Sequence, residues 1–377
     1  MFKTVIMTGG ISLFAQNNII GKFLRENNIV DFERTNPVLK ENQDREKIIK
    51  DIVGKCAPKF CESVNNPKNV SAEYSMLMAI KNSLDKEIEV ILFYSDTFGG
   101  ALSYELISRI IKNDFNAEII GYMIDELDLN NAHQANKSIS IFMKKLGKEL
   151  ETRIGLNSVC FAPIGGYKVM TSFGYIAGAF FGFPTYYLHE DSQYLHKIPP
   201  VPIKIDDKTI EENNDFLRKI IRNEVIDISL IDEKEVKFIE INRFLFEVED
   251  NLCSLNAFGM FIINKHEDLF YPKEIFSNEA RILYNKVEKS QKTIIDDNIY
   301  YLKELITKQP NDSALNHTIK TLNMSQYKYK IFKPNQRGKV FRATYKYDEE
   351  KFELEIKYFW LDHNLYEREI ETGKGLK

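Results

Sequence analysis

Residues 318–347 combine positive charge with aromatic side chains in a pattern that suits contact with nucleic acid. The segment contains eight Lys or Arg residues and no Asp or Glu, although the whole chain carries a formal net charge of −4. Six Tyr or Phe residues are interleaved with these cations. Because cations neutralise phosphates and aromatic rings stack on unpaired bases, the segment predicts a surface for single-stranded nucleic acid. A lysine-rich, solvated hairpin is the alternative that composition alone leaves open.

Three glycine-rich loops predict a second kind of phosphate contact in the first half of the chain. Each follows an apolar run and leads toward a helical pattern. The loops are Thr8-Gly9-Gly10-Ile11-Ser12, Ser95-Asp96-Thr97-Phe98-Gly99-Gly100 and Gly165-Gly166-Tyr167-Lys168. Glycine lets backbone amides approach an anion, the start of a helix adds a partial positive charge, and Lys168 adds a formal one. None of the loops matches GxGxxG or GxxxxGK[ST], so a phosphate-containing ligand other than a dinucleotide or a P-loop nucleotide is predicted.

Apolar strand-like runs alternate with helical patterns through this part of the chain and would position the loops. The predicted strands are KTVIMTGG, EVILFYSDT, AEIIGYMID, SVCFAPIGG and PTYYLHE. Continuous apolar strands that alternate with helices indicate a parallel, Rossmann-like sheet with helices on both sides. Ligands of such sheets bind at the carboxyl ends of the strands, where the three loops would meet.

The rest of the chain differs in pattern, so we predict three domains. A Rossmann-like α/β domain spans 1–203, a helical, winged-helix-like linker for dimerisation or spacing spans 204–264, and an α+β domain spans 265–377. In the last domain, helical patterns precede the strand-like runs YKYKIFK, GKVFRATYKY and KFELEIKYFWL. Helices followed by such runs are typical of a small domain with an antiparallel meander.

Composition limits the class of protein. With 44% hydrophobic and 28% charged residues, the chain has the composition of a soluble globular protein. The first apolar run ends at Thr8-Gly9-Gly10, too early for a secretory signal, and no run reaches the roughly 20 residues of a membrane helix. We therefore expect a cytoplasmic protein without a membrane segment. The four cysteines show no paired-ligand spacing, and we predict no metal site.

The predicted first domain resembles the CARF ligand-sensing domain of CRISPR-associated proteins. The resemblance rests on KTVIMTGGISLF with Asn17, SAEYSMLMAI, ILFYSDTFGGALSYELI, APIGGYKVMTSFGYIAGAFFGFPTYYLHED and IPPVPI. Its most specific element is the Gly-Gly-Tyr-Lys turn. The resemblance implies a cyclic oligoadenylate ligand, with cyclic tetra-adenylate expected, made when a type III CRISPR complex detects foreign RNA. It also implies a homodimer with the ligand across its two-fold axis, where a two-fold symmetric ring matches two identical cradles.

The same resemblance assigns ligand-binding residues. Ser12 and Lys168 fall on positions that grip the ligand phosphates and that, in some members, promote slow cleavage of the ring. The other positions in or near the loops are Thr8, Gly9, Gly10, Asn17, Ser95, Thr97, Gly165 and Gly166. The first loop departs from the family pattern, because Gly10-Ile11 separates Thr8-Gly9 from Ser12. The ligand is implied to be an allosteric activator, and no cofactor is expected.

CARF domains usually switch an effector, and the predicted last domain resembles a RelE-type mRNA interferase. That family has helices first, then a basic antiparallel meander with an Arg on a central strand and a His or Tyr near the last strand. The run GKVFRATYKYDEEKFELEIKYFWLDHNLYERE follows this pattern through Arg342 and the stretch from Trp360 to Tyr366. The resemblance implies a CARF–RelE fusion, a CRISPR-associated messenger RNA interferase. It further implies metal-independent cleavage of mRNA in the ribosomal A site.

In such a cleavage the RNA 2′-hydroxyl attacks the adjacent phosphate and leaves a 2′,3′-cyclic phosphate. The step needs a base, an acid and cations on the phosphate. We expect Arg342, with Arg337 and Lys339, to stabilise the phosphate. His363 and Tyr366 are the candidate base and acid, since histidine titrates near neutral pH. Arg342 lies between Phe341 and Ala343 on a predicted strand, so its side chain should point away from their face.

Three alternative functions stay open. Glu355-Ile356-Lys357, with Asp348, fits the ExK element of a metal-dependent PD-(D/E)xK nuclease. A basic C-terminal sheet that binds RNA or DNA without cutting would make the chain a binding regulator. A stand-alone ring nuclease that removes the cyclic signal is the third. A HEPN ribonuclease does not fit, because none of the six histidines follows an Arg at the required spacing.

Overall fold

The computed structural model describes residues 1–27, 45–56, 69–124, 132–156, 158–189, 194–199, 207–319, 322–334 and 340–377. The chain divides into two compact units. Unit 1 comprises Met1–Ile205 with Asn256–Lys265, and unit 2 comprises Asp206–Leu255 with His266–Lys377. Residues 256–265 thus belong to unit 1, although they lie mostly within the predicted linker. The predicted three-domain division stays a prediction.

A six-stranded sheet organises unit 1. Its strands are β1 (Phe2–Thr8), β2 (Leu84–Ser95), β3 (Ala117–Ile124), β4 (Val159–Ala162), β5 (Thr185–Leu188) and β6 (Leu195–Ile198), in the order β3-β2-β1-β4-β5-β6. Strands β1 to β5 are parallel, and β6 is an antiparallel edge strand. The five predicted strands and the parallel α/β sheet are confirmed. The chain adds strands on one side of β1 and then on the other, so the topological switch point lies between β1 and β4.

Helices cover the sheet of unit 1. They are α1 (Ile19–Glu26), α2 (Arg45–Cys56), α3 (Ala72–Ala79), α4 (Phe98–Phe115), α5 (Ala132–Glu151), α6 (Lys168–Phe180) and α10 (Ala257–Lys265). Leu24, Val53, Leu77 and Leu106 of α1 to α4 share one core cluster with Val5 and Val90 of the sheet. Helix α5 contributes Phe142, whose ring meets Phe93 of β2 edge-on at 5.7 Å. The buried stretches 5–7 of β1 and 90–93 of β2 are continuous apolar runs, as expected for strands that are covered on both faces.

The first part of unit 2 is a small helical module with a three-stranded sheet. It contains α7 (Asp207–Glu212), α8 (Asn214–Asn223), β7 (Ile226–Asp227), α9 (Glu233–Ile241), β8 (Phe246–Glu249) and β9 (Leu252–Leu255). The strand order is β7-β9-β8, and both pairs are antiparallel. Asp232 caps α9 in a reciprocal arrangement with Glu235. The sequence suggested two or three short helices followed by one strand, whereas the structure has three short strands here. The winged-helix-like linker role stays a prediction.

The second part of unit 2 is built on a four-stranded sheet. Its elements are α11 (Glu267–Phe270), β10 (Lys273–Phe276), α12 (Asn278–Lys286), α13 (Lys289–Lys308), β11 (Lys330–Phe332), β12 (Arg342–Asp348), β13 (Glu353–Trp360) and α14 (His363–Ile370). The strand order is β10-β13-β12-β11, with β10 parallel to β13 and the other pairs antiparallel. The predicted helix pair and meander are confirmed. In the sequence Ser277, followed by Glu279 and Ala280, is a candidate N-cap. The structure confirms this cap, because Ser277 Oγ accepts the N–H of Ala280 (3.1 Å).

Two short segments of this part are fixed by pairing with distant strands. Residues 275–276, just before the Ser277 cap, belong to β10, and their backbone pairs with β13. Ser313–Asn316 form a short 3-10 turn. The chain then runs beside β11, where the N–H of His317 donates to the carbonyl of Ile331 (3.1 Å). No local pattern indicates either pairing.

The two faces of this sheet carry different groups. Phe341, Ala343 and Ile356 are fully buried in a core shared with α12 and α13. The opposite face packs Trp360 against Tyr366 of α14. Arg342 is paired across the sheet with Trp360 on this face, so the predicted alternation is confirmed. A β-bulge at Lys357 shifts the register between Thr344 and Tyr345, the kind of irregularity that re-aims side chains near functional sites.

Within the described ranges, no helix combines the length and apolar character needed to cross a bilayer.

Candidate functional site

The three glycine-rich loops follow β1, β2 and β4, which are adjacent strands of the sheet. The N–H of Gly9 donates to the carbonyl of Phe93 on β2 (2.7 Å), and the N–H of Gly165 donates to the carbonyl of Thr8 (3.0 Å). A Cβ added to Gly10 would lie 2.5 Å from the backbone nitrogen of Gly166, which leaves no room for any side chain. The first and third loops therefore meet, backbone against backbone, at the switch point of the sheet.

The buried carboxylate of Glu73 joins these two loops. Glu73 is only 1% exposed, and its Oε1 accepts the N–H of Gly10 at 2.7 Å. Its Oε2 accepts the hydroxyl of Ser12 at 3.3 Å, and a Cβ on Gly165 would lie 2.0 Å from Oε1. Ser12 Oγ in turn accepts the N–H of Ala72 at 3.0 Å. Ser12 is thereby tied to the start of α3 as well as to Glu73.

Sequence analysis did not single out Glu73 as a functional residue. An acidic residue in the first turn of a helix ordinarily faces water, where it interacts with the helix dipole. Its only signal was the Ser-Ala-Glu start of α3, in which Ser71 caps the helix by accepting the N–H of Tyr74 (3.1 Å). That signal indicated a helix start, and the burial of the carboxylate follows from the loop packing.

The second loop is closed by its own hydroxyl groups. Ser95 Oγ and Thr97 Oγ1 are hydrogen-bonded at 2.8 Å, and Thr97 caps α4 by accepting the N–H of Gly100 (3.0 Å). A Cβ on Gly100 would lie 2.4 Å from the carbonyl oxygen of Ser95. These bonds fix the turn that brings the start of α4 to the carboxyl edge of the sheet.

The third loop presents a charged helix start. Lys168 is the first residue of α6 and is exposed, and Gly166 adopts a φ of +89° that favours glycine. Tyr167 at the N-cap makes no side-chain capping bond to the first turn of α6, whose N–H groups attract anions. An anion at this loop would meet both the helix start and the Lys168 ammonium group.

Two further predicted positions behave differently. Thr8 is fully buried, and its Oγ1 has no hydrogen-bond partner among the described residues. Asn17 is exposed, whereas the neighbouring Asn18 is buried and donates its side-chain amide to the carbonyl of Ser12 (2.6 Å). Asn18 is therefore the asparagine that braces the first loop. All ten ligand-binding assignments lie within the described residues, and their roles stay predictions.

A second group of polar side chains gathers around Arg342 in unit 2. The guanidinium lies 5.9 Å from the ring centroid of Tyr366, and its Nη1 donates to the carbonyl of Phe341 (2.6 Å). Burial lowers the pKa of Arg342, while Tyr366 and Glu367 act in the opposite direction. The side chain remains a cation, because arginine loses its proton only far above neutral pH.

Three unsatisfied polar atoms share this face. In the described part of the chain, Arg342 Nε, Thr344 Oγ1 and the Tyr366 hydroxyl are buried without a hydrogen-bond partner. Each buried, unpaired donor or acceptor costs about 1–3 kcal/mol. Native proteins tolerate few such groups, so their concentration here marks the face as a place for a polar ligand.

The candidate acid and base from α14 have contrasting surroundings. Tyr366 is 1% exposed, and burial raises the pKa of its hydroxyl to about 12, so it holds its proton at neutral pH. His363 begins α14, is exposed, and places Nε2 3.7 Å from Oε1 of Glu367. Arg337 and Lys339, the other two predicted phosphate contacts, lie outside the described residues.

The structure adds His317 to this group, a residue that sequence analysis left unassigned. His317 is half-buried, and burial together with the charges of Lys333 and Arg342 lowers its pKa, while Glu367 opposes the shift. No local pattern indicates this position, because His317 reaches Arg342 only through the pairing of its segment with β11.

The residues of the alternative nuclease motif are engaged elsewhere on the sheet. Glu355 accepts the hydroxyl of Tyr329 (2.9 Å), and Lys357 Nζ lies 3.8 Å from Oε2 of Glu279. Asp348 accepts the N–H of Lys351 in the turn after β12 (3.1 Å). In the ranges that the structure describes, no cluster of three or more His, Cys, Asp or Glu residues is arranged to hold a metal ion.

Comparison with known proteins bears on unit 1. The family described as "CRISPR-associated protein (Cas_APE2256)" matches residues 68–201. This stretch includes α3 with Glu73 and the second and third loops. Over it the chain is similar to CRISPR-associated proteins, which agrees with the CARF-type resemblance. No curated protein sequence matches the chain.

Two solved structures show weak similarity. One is Can2 from Sulfobacillus thermosulfidooxidans in complex with cyclic tetra-adenylate, with 12% identity and a TM-score of 0.21, covering 47% of this chain and 54% of that chain. The chain thus spans about half the length of Can2. The other is protein VC1899 from Vibrio cholerae, with 9% identity and a TM-score of 0.25, covering 76% of this chain and 73% of that chain.

Proposed function

We propose that the chain is an ancillary effector of a type III CRISPR system and that unit 1 binds a cyclic oligoadenylate, with cyclic tetra-adenylate the expected ring. The observation that carries this proposal is the meeting of the first and third loops at the switch point, inside a sheet similar to CRISPR-associated proteins over residues 68–201. Lys168 and the start of α6 supply the positive charge that a phosphate needs. Ser12 and Lys168 would also be the residues involved if the ring is slowly cleaved.

We further propose that unit 2 carries a RelE-like ribonuclease that cuts mRNA on the ribosome and arrests translation. Two helices precede the meander, Arg342 lies on an interior strand, and Tyr366 follows the last strand. This order supports the resemblance read from the sequence. The unpaired Nε of Arg342 is a donor suited to a phosphate oxygen.

The chemistry proposed for this face needs no metal. The 2′-hydroxyl of the RNA attacks the adjacent phosphorus, and the guanidinium of Arg342 stabilises the charge that develops on the phosphate oxygens. Tyr366 and His363 are positioned on α14 to serve in proton transfer, and Arg337 and Lys339 are proposed to add cationic contacts. The products are a 2′,3′-cyclic phosphate and a 5′-hydroxyl.

A ligand can switch the enzyme only if it binds the active arrangement better than the inactive one. We propose that a homodimer provides this arrangement, with one ring held by two copies of the loop site. A ring with its own two-fold symmetry then contacts equivalent residues of both copies.

Cleavage of mRNA, naked and on translating ribosomes, with and without cyclic tetra-adenylate, tests the proposal. Metal dependence is measured on the naked RNA with and without EDTA, because chelation of Mg²⁺ would dissociate the ribosomes. We expect ligand-dependent cleavage on ribosomes with cyclic-phosphate ends, and loss of cleavage with retained RNA binding in Arg342→Ala. Ligand-dependent, metal-dependent cutting of naked nucleic acid would instead identify the PD-(D/E)xK alternative. Ligand turnover without RNA cutting would indicate a ring nuclease, and RNA binding without any cutting would indicate a regulator.

A further inference from the structure

His317 is held rigidly beside the strand that leads to Arg342. Its own N–H donates to the carbonyl of Ile331 (3.1 Å), and the N–H of Lys333 donates back to the carbonyl of Ala314 (2.9 Å). Between these two bonds, the hydroxyl of the buried Tyr345 donates to the carbonyl of Leu315 (2.9 Å). The backbone that carries the imidazole is therefore fixed to β11 and β12 without using the imidazole itself.

Strand pairing brings His317 and Arg342 to one place. Phe332 of β11 pairs with Ala343 of β12, so Lys333 and Arg342 lie one step further along the same antiparallel ladder. His317 lies beside Ile331, whose partner on β12 is Thr344, two residues from Arg342. The imidazole is thus close enough to feel the charge of Arg342, the arginine that the proposed function assigns to the phosphate.

The charged groups that face His317 come from three elements. Lys333 follows β11, Arg342 begins β12, and Glu367 lies on α14. Partial burial, with the charges of Lys333 and Arg342, lowers the pKa of His317 below its ordinary value of 6.5, against the opposing effect of Glu367. At neutral pH the imidazole is therefore neutral and carries a free lone pair, as a general base requires.

We propose that His317 is the general base of the ribonuclease, a role that rests on the proposed function of unit 2. A ring nitrogen of His317 takes the proton of the RNA 2′-hydroxyl as its oxygen forms a bond to the adjacent phosphorus. The bond from phosphorus to the 5′-oxygen breaks, and that oxygen receives a proton from the acid on α14. The result is a 2′,3′-cyclic phosphate, a 5′-hydroxyl and a protonated His317, which loses its proton to water before the next turnover.

The surroundings of Tyr366 suit the acid role better than the base role. Tyr366 keeps its proton at neutral pH because burial raises its pKa to about 12, so it has a proton to donate and no lone pair of useful basicity. His363, the other candidate on α14, is exposed and lies 3.7 Å from a carboxylate oxygen of Glu367. His317 differs from it in being partly buried and in feeling the charges of Lys333 and Arg342.

The first test compares His317→Gln with His363→Gln as a matched variant, using the full-length protein, cyclic tetra-adenylate and mRNA on paused ribosomes. Gln keeps the backbone hydrogen bonds of position 317, and equal thermal unfolding of both variants and the wild type checks folding. Single-turnover cleavage by the wild type should rise with pH through the imidazole pKa and level off near neutrality. His317→Gln should cleave about 100-fold to 10,000-fold more slowly and rise about tenfold per pH unit across the range, since hydroxide replaces the base.

The second test replaces the 5′-bridging oxygen at the cut site with sulfur, which leaves as a thiolate and needs no acid. A variant that lacks the acid should recover on this substrate, and a variant that lacks the base should not. Continued slow cleavage by His317→Gln supports the proposal. Recovery of His317→Gln, or wild-type cleavage and pH dependence in that variant, overturns it. If the wild type yields no cyclic-phosphate ends, the ribonuclease proposal itself fails, an outcome visible before any variant is compared.

Discussion

Replacement of Glu73 by Ala should loosen the ligand site from within. The substitution removes the acceptor of the Gly10 N–H and of the Ser12 hydroxyl and leaves a cavity at a position that is 1% exposed. A hydrogen bond to a charged group contributes about 1.5–3 kcal/mol, and an unpaired buried donor costs about 1–3 kcal/mol. Because part of these effects describes the same lost bonds, we expect the free energy of unfolding to fall by about 2–4 kcal/mol.

Ligand affinity should fall in the same variant. Without Glu73 the first loop loses two hydrogen bonds, from Gly10 and Ser12, and becomes less ordered, so the ligand must order it on binding. If ordering the loop makes the binding free energy about 1.4 kcal/mol less favourable, the affinity for the ligand drops about tenfold. Glu73→Gln distinguishes the effect of the hydrogen bonds from that of the negative charge. The amide oxygen can still accept the N–H of Gly10, and the amide nitrogen can donate to the Ser12 hydroxyl. It also removes a negative charge near the proposed phosphate site, so it should bind cyclic tetra-adenylate at least as tightly as the wild type.

Urea unfolding and titration calorimetry with cyclic tetra-adenylate measure the two quantities on the three proteins. A Glu73→Ala protein with wild-type stability and affinity would refute the positioning role of Glu73. Equal losses in both variants would show that the loops need the negative charge itself and not its geometry.

Three other predictions concern separate features of the chain. Gly10→Ala should abolish ligand binding, because the added Cβ has no space. In the control Gly54→Ala on α2, the added Cβ meets nothing within 4 Å, so binding should be unchanged and the free energy of unfolding should rise by up to about 1 kcal/mol. Calorimetry measures binding and urea unfolding measures stability in both variants. Lys168→Ala should weaken cyclic tetra-adenylate binding by about tenfold or more without changing thermal unfolding, while Lys3→Ala, at the amino end of β1, should change neither. Lys303→Met should lower the free energy of unfolding by about 1–2 kcal/mol, less than for a fully buried ion pair, because its two glutamate partners are 28% and 41% exposed and can rehydrate.

Much of the architecture could be predicted from local sequence. The five parallel strands each contain a continuous apolar stretch, which is typical of strands buried on both faces. The orientation of Arg342 followed from alternation along one strand, since Phe341 and Ala343 both enter the core. The cap by Ser277 followed from a polar residue before a helical pattern. In each case neighbours in sequence carry the information.

The features that sequence analysis missed depend on distant parts of the chain. Strand β10 is four residues long with two charged positions, and only its pairing with β13 makes it a strand. Glu73 resembles an ordinary solvent-facing residue until two loops close over it. His317 lies in a segment without periodicity, and its closeness to Arg342 arises from strand pairing. Sequence patterns therefore located the elements and loops, while the groups that complete each site depended on tertiary packing.

The parallel pairing of β10 with β13 has a consequence for folding during synthesis. Ser277, at the end of β10, donates its hydroxyl to the carbonyl of Lys357, 80 residues later in the chain (2.7 Å). Such long-range pairing forms late, because the intervening loop must close first. A ribosome that has synthesised the chain only as far as β12 has released neither the strand that completes the sheet nor the helix that carries Tyr366. The face that carries Arg342 is therefore complete only after both have emerged from the ribosome.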